Sequence, residues 1–480
     1  MKANLIIKSN CIFDSIDEKP FSGFVAVKDN KILAVEKNSD FSGYADENTI
    51  IKEFGDNTVM AGFHDSHTHL IMGGLFKTYV NLADAKSEEE AALMVKEAAD
   101  KDPNKEGWVR GFSWYHVFWD NRQMPTYASL DKYFPDRPVC LLHAEAHGAW
   151  VNSAAMKIMG LTKNTPDIED GTIIRDEEGN PAGHVVEGRS QAMIMTKIDF
   201  FDAESVVNIM AENSADYASM GVTGTADMGM YAYLEKQYYE ALDAVRSSGR
   251  YLQRFVGCTC HVEDQNLVDL RIEALIKARE KYNDDRFRMN FLKIINDGTM
   301  ESRSAAISEP YPEDGSVVKP LMNEEQAAKA GLKAAKAGLD VNMHAIGDVA
   351  AKSVIAMAKA IRQAGYDDCR ITCSHSQYIA PEDIPLFGKY NIIANSTGVW
   401  MYGNPLMDKV LGHINNETFR MRSLIDSGAK MALGSDFPVD EYGREPLRSI
   451  QMCATRKMYG QPDAPVLEPA DEVTTVREAI

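Results

Sequence analysis

Two hydrophobic rhythms divide the chain. Residues 1–58 carry short apolar runs (Leu5-Ile6-Ile7, Phe24-Val25-Ala26-Val27, Ile32-Leu33-Ala34-Val35) separated by turn clusters such as Lys28-Asp29-Asn30, the pattern of a small antiparallel, sandwich-like β domain. From residue 57 the pattern becomes strand, loop, helix, repeated. Strand candidates fall at 57–64, 221–227, 252–260, 288–295, 340–345, 370–375, 391–397 and 430–436. Amphipathic stretches at 204–219, 264–281, 323–337, 349–364 and 416–427 have the length that crossover helices need. Eight strands, each followed by a helix, predict an α/β fold, a (β/α)8 TIM barrel over residues 59–480 with its active site at the C-terminal strand ends. Residues 104–190 interrupt the repeat after the first barrel strand. They hold Trp108, Trp114, Trp119 and Trp150, four of the five tryptophans. An insertion at that point overhangs the barrel mouth and is expected to form a lid or substrate subdomain; the alternative is that its rings are the core of a small subdomain of their own.

Composition narrows the chemistry. A chain of 480 residues, 45% hydrophobic, is long enough for a large core, and its net charge of −20 opposes nucleic acid and anionic membranes. The N-terminal apolar run is too short for a secretory signal, and no stretch approaches the roughly 18 apolar residues of a membrane span. A cytoplasmic protein with a small-molecule substrate is expected, with homo-oligomerisation left open. The seven cysteines are scattered and odd in number, as buried thiols of a reducing compartment would be.

Residues 62–70, GFHDSHTHL, place His67 and His69 at alternate positions where the first barrel strand enters its loop. Side chains at i and i+2 share a face, so both rings can reach one metal ion, though two histidines near a turn can equally be packing or surface residues. Later strands end in further polar groups: Lys293 in the fourth, His344 in the fifth, His375 in the sixth and Asp436 in the eighth. Burying several ionisable groups on one rim without a metal would cost several kcal/mol each. Lys293 has a second reading, because an ammonium cannot ligate a cation: a buried lysine paired with Asp297 or Asp436. His64, His116, His143 and His184 have no evident partner and read as structural.

The motifs GFHDSHTHL, WVRGFSW, RPVCLLHAEAHGAWVNSAAM, LKIINDGTMESRSAAISEPY, VNMHAIGDVA, SHSQYIAPEDI, LGSDFPVD and PLRSIQMCATRK, in that order over nearly the whole chain, resemble the amidohydrolase superfamily of metal-dependent hydrolases. More narrowly, they are similar to the subfamily that includes N-substituted formamide deformylase. The resemblance implies one or two divalent ions, zinc first. His67, His69 and Asp436 would hold the more buried ion and His344 and His375 the second, while Lys293, carboxylated by CO2, would bridge the two. Neutral imidazoles and a carboxylate suit zinc, bound water is acidified towards neutrality, and Asp436 can pass a proton to the leaving nitrogen. His147, Arg303 and Tyr311 resemble positions that face substrate. The expected activity is hydrolysis of a carbon–nitrogen bond outside peptides, in a linear N-acyl or N-formyl amine. The alternatives are a deaminase or cyclic-amide hydrolase on the same scaffold, or a metal-stabilised binding protein whose site is idle. Met300 and Glu301 depart from the small residues usual after Asp297-Gly298 and are expected to narrow the pocket or favour a cationic substrate. Relatives continue beyond VTTVREAI with strands that return to the N-terminal sheet, so residues 1–58 are expected to lack partner strands.

Overall fold

A computed structural model describes all residues of the chain except 104, 145, 146, 167–170, 187, 199–202, 313 and 441. It has two compact units, Met1–Phe63 and His64–Ile480. In the first, the strand Leu5–Phe13 runs antiparallel to Phe21–Lys28, which pairs in turn with Lys31–Glu36. Asp29 and Asn30 supply the positive φ angles (49° and 62°) of a tight hairpin turn, residue types that tolerate that region. Ile50–Glu53 and Thr58–Met60, however, lie parallel to Leu5–Phe13. The unit is therefore one mixed five-stranded sheet and not the antiparallel, sandwich-like arrangement expected. The segment between Glu36 and Ile50 is the cause: it crosses back before the chain re-enters the sheet, as a parallel neighbour requires. Phe41 and Tyr44 from that segment meet the buried Phe24 ring edge-on, at 6.1 and 5.7 Å.

All eight strands expected of the second unit are present, with shifted ends. They are Phe63–Thr68, Val222–Asp227, Arg254–Gly257, a fourth in two pieces (Phe287–Met289 and Phe291–Ile295), Asp340–Ala345, Ile371–His375, Ile392–Ser396 and Lys430–Leu433. The core is mixed α/β with parallel strands. Its ladders form two sheets, one of the first three strands with Phe287–Met289 and one from Phe291–Ile295 to Lys430–Leu433, and not one closed ring. Links span both junctions. Asn290 donates its N–H to Gly257 and accepts from Asp340, and the Ser66 hydroxyl donates to the Leu433 carbonyl at 2.6 Å.

The helices expected over 323–337 and 349–364 are present with ends shifted by about a residue. Asn323 and Gln326 close a capping box on Glu324–Lys336, and Asp348–Gln363 buries Val354, Met357, Ala358 and Ile361 on one face. The helix expected over 416–427 is broken into a 3-10 turn, Gly412–Glu417, and a short helix, Met421–Asp426. Phe419 sits at φ 54°, and the carbonyls of Thr418 and Phe419 accept from the buried Arg456 guanidinium at 3.1 and 2.7 Å, so neither continues a helical ladder.

The insertion builds its own six-stranded sheet, from Thr172–Arg175 at one edge to Val80–Asn81 at the other, so it begins ahead of residue 104. Helix Glu88–Lys101 packs Ala91, Ala92 and Val95 into one cluster with Trp114, Trp119 and Trp150. Three of its tryptophans are thus core. All seven cysteines are free; five are buried, while Cys11 and Cys369 are partly exposed. Among the described residues no helix is long and apolar enough to cross a membrane.

Candidate metal centre

One cavity of about 890 Å³ carries the predicted chemistry on its wall: His69, Lys293, His344, His375 and Asp436 line it. His67 stands directly behind, with its Nε2 3.3 Å from Asp436 Oδ1, while His69 Nε2 is 3.5 Å from the same oxygen. The rings of His67 and His375 have centroids 4.9 Å apart, and those of His344 and His375 4.5 Å. Four strands and two strand-end loops therefore meet here, as side-chain alternation on parallel strands allows.

Three of the four imidazoles are oriented by an oxygen acceptor at Nδ1. His67 faces Asn395 Oδ1 (3.1 Å), His69 the Gly229 carbonyl (3.1 Å) and His344 Asp297 Oδ1 (3.0 Å). An oxygen acceptor at Nδ1 puts the hydrogen there and leaves Nε2 with its lone pair, the form that ligates a cation. His375 stacks on Trp400, 5.7 Å away with the planes 12° apart. Burial holds all four below the ordinary histidine value of 6.5, His69 at about 3, so they are neutral.

A metal ion suits this donor set. Ligating atoms of His67, His69 and Asp436 lie within 4.8 Å of one another, the one such group among the described residues. The His67 Nε2 is buried without a hydrogen-bond partner, a lone pair that a cation would satisfy. His375 and Asp436 leave their strands at φ 76° and 54°, and such left-handed geometry at non-glycine residues persists where surrounding contacts impose it. For Asp436 these are its own N–H on the His67 carbonyl (2.8 Å) and the next residue's carbonyl accepting from His69 N–H (2.7 Å).

Lys293 is fully buried, and its Nζ donates to Asn342 Oδ1 at 3.2 Å. Burial lowers its proton affinity, opposed by the Asp436 charge; burial raises that of Asp436, opposed by Lys293. Asp297, one of the partners considered for Lys293, is committed elsewhere: besides His344 it accepts from the N–H groups of Ala306, Ile346 and Gly347.

The remaining candidates divide. His147, from the insertion, lines the cavity with its ring 6.4 Å from that of His344. Arg303 and Tyr311 are not among the lining residues. Arg303 pairs with Asp314 at 3.2 Å, and Tyr311 is buried with its hydroxyl donating to the Ala305 carbonyl, because the loop after Asp297 folds back on its own core. Met300 joins that core, whereas Glu301 reaches the cavity. His143 and His184 pack edge-on against Trp114, and His64 is exposed beside Gly224.

Sequence reasoning overlooked His261, which lines the cavity just past the third strand with its ring 5.6 Å from that of His69. The expected strand was closed at residue 260, one position short. Asn342, Asn395 and Asp65 were also passed over. Asp65 accepts from Ser435 N–H (2.9 Å) and the Tyr217 hydroxyl (3.0 Å), tying the first strand to the loop that carries Asp436. A polar residue directly after an apolar one was the available signal for Asn342 and Asn395, whereas Asp65 lies in the largely polar strand Phe63–Thr68 and carries no such mark.

Residues 55–480 match the model of the Amidohydrolase family. The chain is 28% identical over 471 residues to Protein LONG AFTER FAR-RED 3 of Arabidopsis thaliana, covering 95% of this chain and 78% of that protein. It is 25% identical over 476 residues to the N-substituted formamide deformylase of Arthrobacter pascens, covering 95% and 83%. An uncharacterized metal-dependent hydrolase from Pyrococcus furiosus shares the fold, with a TM-score of 0.70 and 21% identity over 99% of this chain and 92% of that one. With the family's model spanning all of the cavity's residues, the chain is an enzyme of the amidohydrolase family.

Proposed function

We propose that the protein hydrolyses a carbon–nitrogen bond outside peptides, in a linear N-acyl or N-formyl amine, and that its eight parallel strands make up a (β/α)8 barrel. The observation that carries the reading is the neutral imidazole set around one cavity, three members held at Nδ1 by oxygens, together with Asp436 and Lys293. The links at Asn290 and at Ser66 to Leu433 support the barrel. Similarity to a formamide deformylase supports a linear amide.

His67, His69 and Asp436 would hold one divalent ion and His344 and His375 a second, zinc first for such a set. Lys293, carboxylated by CO2, would contribute to both; its buried, proton-poor amine is the form that adds CO2. When bound, such an ion is a Lewis acid that polarises the amide carbonyl and acidifies water. Asp436 takes up the proton that the attacking water releases and returns it to the departing nitrogen, a role open to a carboxylate that reaches both His67 and His69. Asp297 fixes His344, and His147 with the aromatic wall of the insertion restricts water and shapes specificity.

The test is a panel of N-alkylformamides, N-acyl amines, cyclic amides and aminated heterocycles presented to the metal-loaded protein. Turnover of the linear amides is expected; turnover confined to the rings would sink the linear reading, and none at all would point to an idle site. Lys293→Ala should lose one metal equivalent and regain part of its activity with added short carboxylic acids, which replace a carbamate but not an ammonium. Full metal content in that variant counts against the carbamate.

A further inference from the structure

His261 belongs neither to the metal-holding group nor to the packing core. It follows the third strand on a stretch held from both sides: its N–H donates to the Met230 carbonyl at 2.9 Å, and the N–H of Val262 donates to the Lys293 carbonyl at 2.9 Å. Its ring is 97% buried, lines the cavity, and lies 5.6 Å from that of His69 and 5.4 Å from that of Tyr231. Nε2 is 3.0 Å from the Met228 carbonyl. A carbonyl only accepts, so Nε2 carries the hydrogen and Nδ1 presents a bare lone pair. That Nδ1 is buried with no hydrogen-bond partner among the described residues. The loop that sets the tautomer is itself rigid: Met228 N–H donates to the Thr68 carbonyl (2.7 Å), and a Cβ on Gly229, at φ 78°, would stand 2.1 Å from the Thr259 carbonyl oxygen.

A buried acceptor without a donor, beside the metal-side histidines, is a place for a ligand's N–H. We propose that His261 Nδ1 accepts the N–H of the substrate and so restricts the enzyme to primary and N-monosubstituted amides, against N,N-disubstituted ones. The inference rests on the carbon–nitrogen hydrolase reading and adds the substrate class. An added N-methyl group removes the donor and leaves the lone pair buried and unmatched, and sites built around such a bond discriminate strongly.

The experiment compares an N-alkylformamide with its N-methyl derivative on the full-length, metal-loaded protein, as wild type, His261→Ala and His261→Asn. Wild type should favour the N–H substrate in kcat/KM by about 100-fold or more, and His261→Ala should cut that preference below about 10-fold, through loss on the N–H substrate. His261→Asn, whose side-chain oxygen can accept, should keep part of the preference, and metal content should be the same in all three. If His261→Ala fails to fold, His261→Phe keeps the ring volume without the acceptor and takes its place. Comparable kcat/KM for the two substrates in wild type, or full preference in His261→Ala, overturns the role of His261 and leaves the hydrolase reading standing. Loss of metal in the variants also overturns it, since His261 would then be a ligand. If neither formamide turns over, the same comparison is made on an N-acyl amine and its N-methyl derivative; no turnover of any linear amide by metal-loaded wild type sinks the linear-amide reading first and this inference with it.

Discussion

Asp297 shows how much of the site's geometry rests on one side chain. Both its oxygens are filled by neighbours, three backbone N–H groups and the His344 Nδ1, so it fixes the ring and the loop around it together. Removing such an orienting carboxylate typically weakens metal binding about 10- to 100-fold, and Asp297→Ala should do so in a chelator competition while the rest of the fold persists. Unchanged affinity would mean that packing alone positions His344. Asp436 calls for a milder change, because its φ of 54° suits asparagine nearly as well as aspartate. Asp436→Asn should keep the fold and at least one metal yet lower turnover about 100-fold or more, the scale for a lost proton carrier. A near-normal rate with the metals verified would make Asp436 a ligand only and pass the proton to another group.

At the scale of elements, the short helix Val476–Ala479 is held by a capping box of Thr475 and Glu478 and by Arg422, whose Nη1 donates to both oxygens of Glu478 at 2.8 and 2.7 Å. Those bonds lower the Glu478 carboxyl from its ordinary 4.5 to about 2. A depressed carboxyl adds stability that is present above the unfolded value and is lost as pH falls through the folded one. The contribution is therefore whole above pH 4.5 and disappears towards pH 2. So close to solvent it should amount to less than about 1 kcal/mol. Urea midpoints at pH 7 and pH 3 should show Glu478→Gln losing less stability on acidification than wild type. An identical acid response in the two proteins would remove the pair from the account.

For the whole molecule, the neutral imidazole set ties metal occupancy to stability. Ions that bind the folded chain alone add RT ln(1 + [L]/Kd), about 2.7 kcal/mol at a hundredfold excess over Kd. Stripping the metal with a chelator should therefore lower the unfolding temperature of the wild type. The His67→Ala, His69→Ala double variant should begin lower and respond less. Equal melting of wild type with and without chelator would argue that no ion is held by these residues.

Hydrophobic period and strand-end polarity, both local properties, were enough to place eight strands, most of the crossover helices and the residues His67, His69, Lys293, His344, His375 and Asp436 before any coordinates. The histidines and Asp436 sit where a strand meets its loop, and Lys293 is the one charge inside an apolar strand; both marks are visible along the chain. Its family was legible for the same reason, since the order and spacing of those motifs are linear facts. What remained hidden depends on which segments meet in space. Parallel pairing of Ile50–Glu53 was decided by a crossover with no pattern of its own, and the break at Phe419 by a guanidinium 37 residues further along the chain. Arg303 and Tyr311 turned away from the cavity because their loop packs on itself. His261 entered the site because the loop after the second strand and the fourth strand hold it there through backbone hydrogen bonds, which any sequence can make and which therefore leave no mark in it.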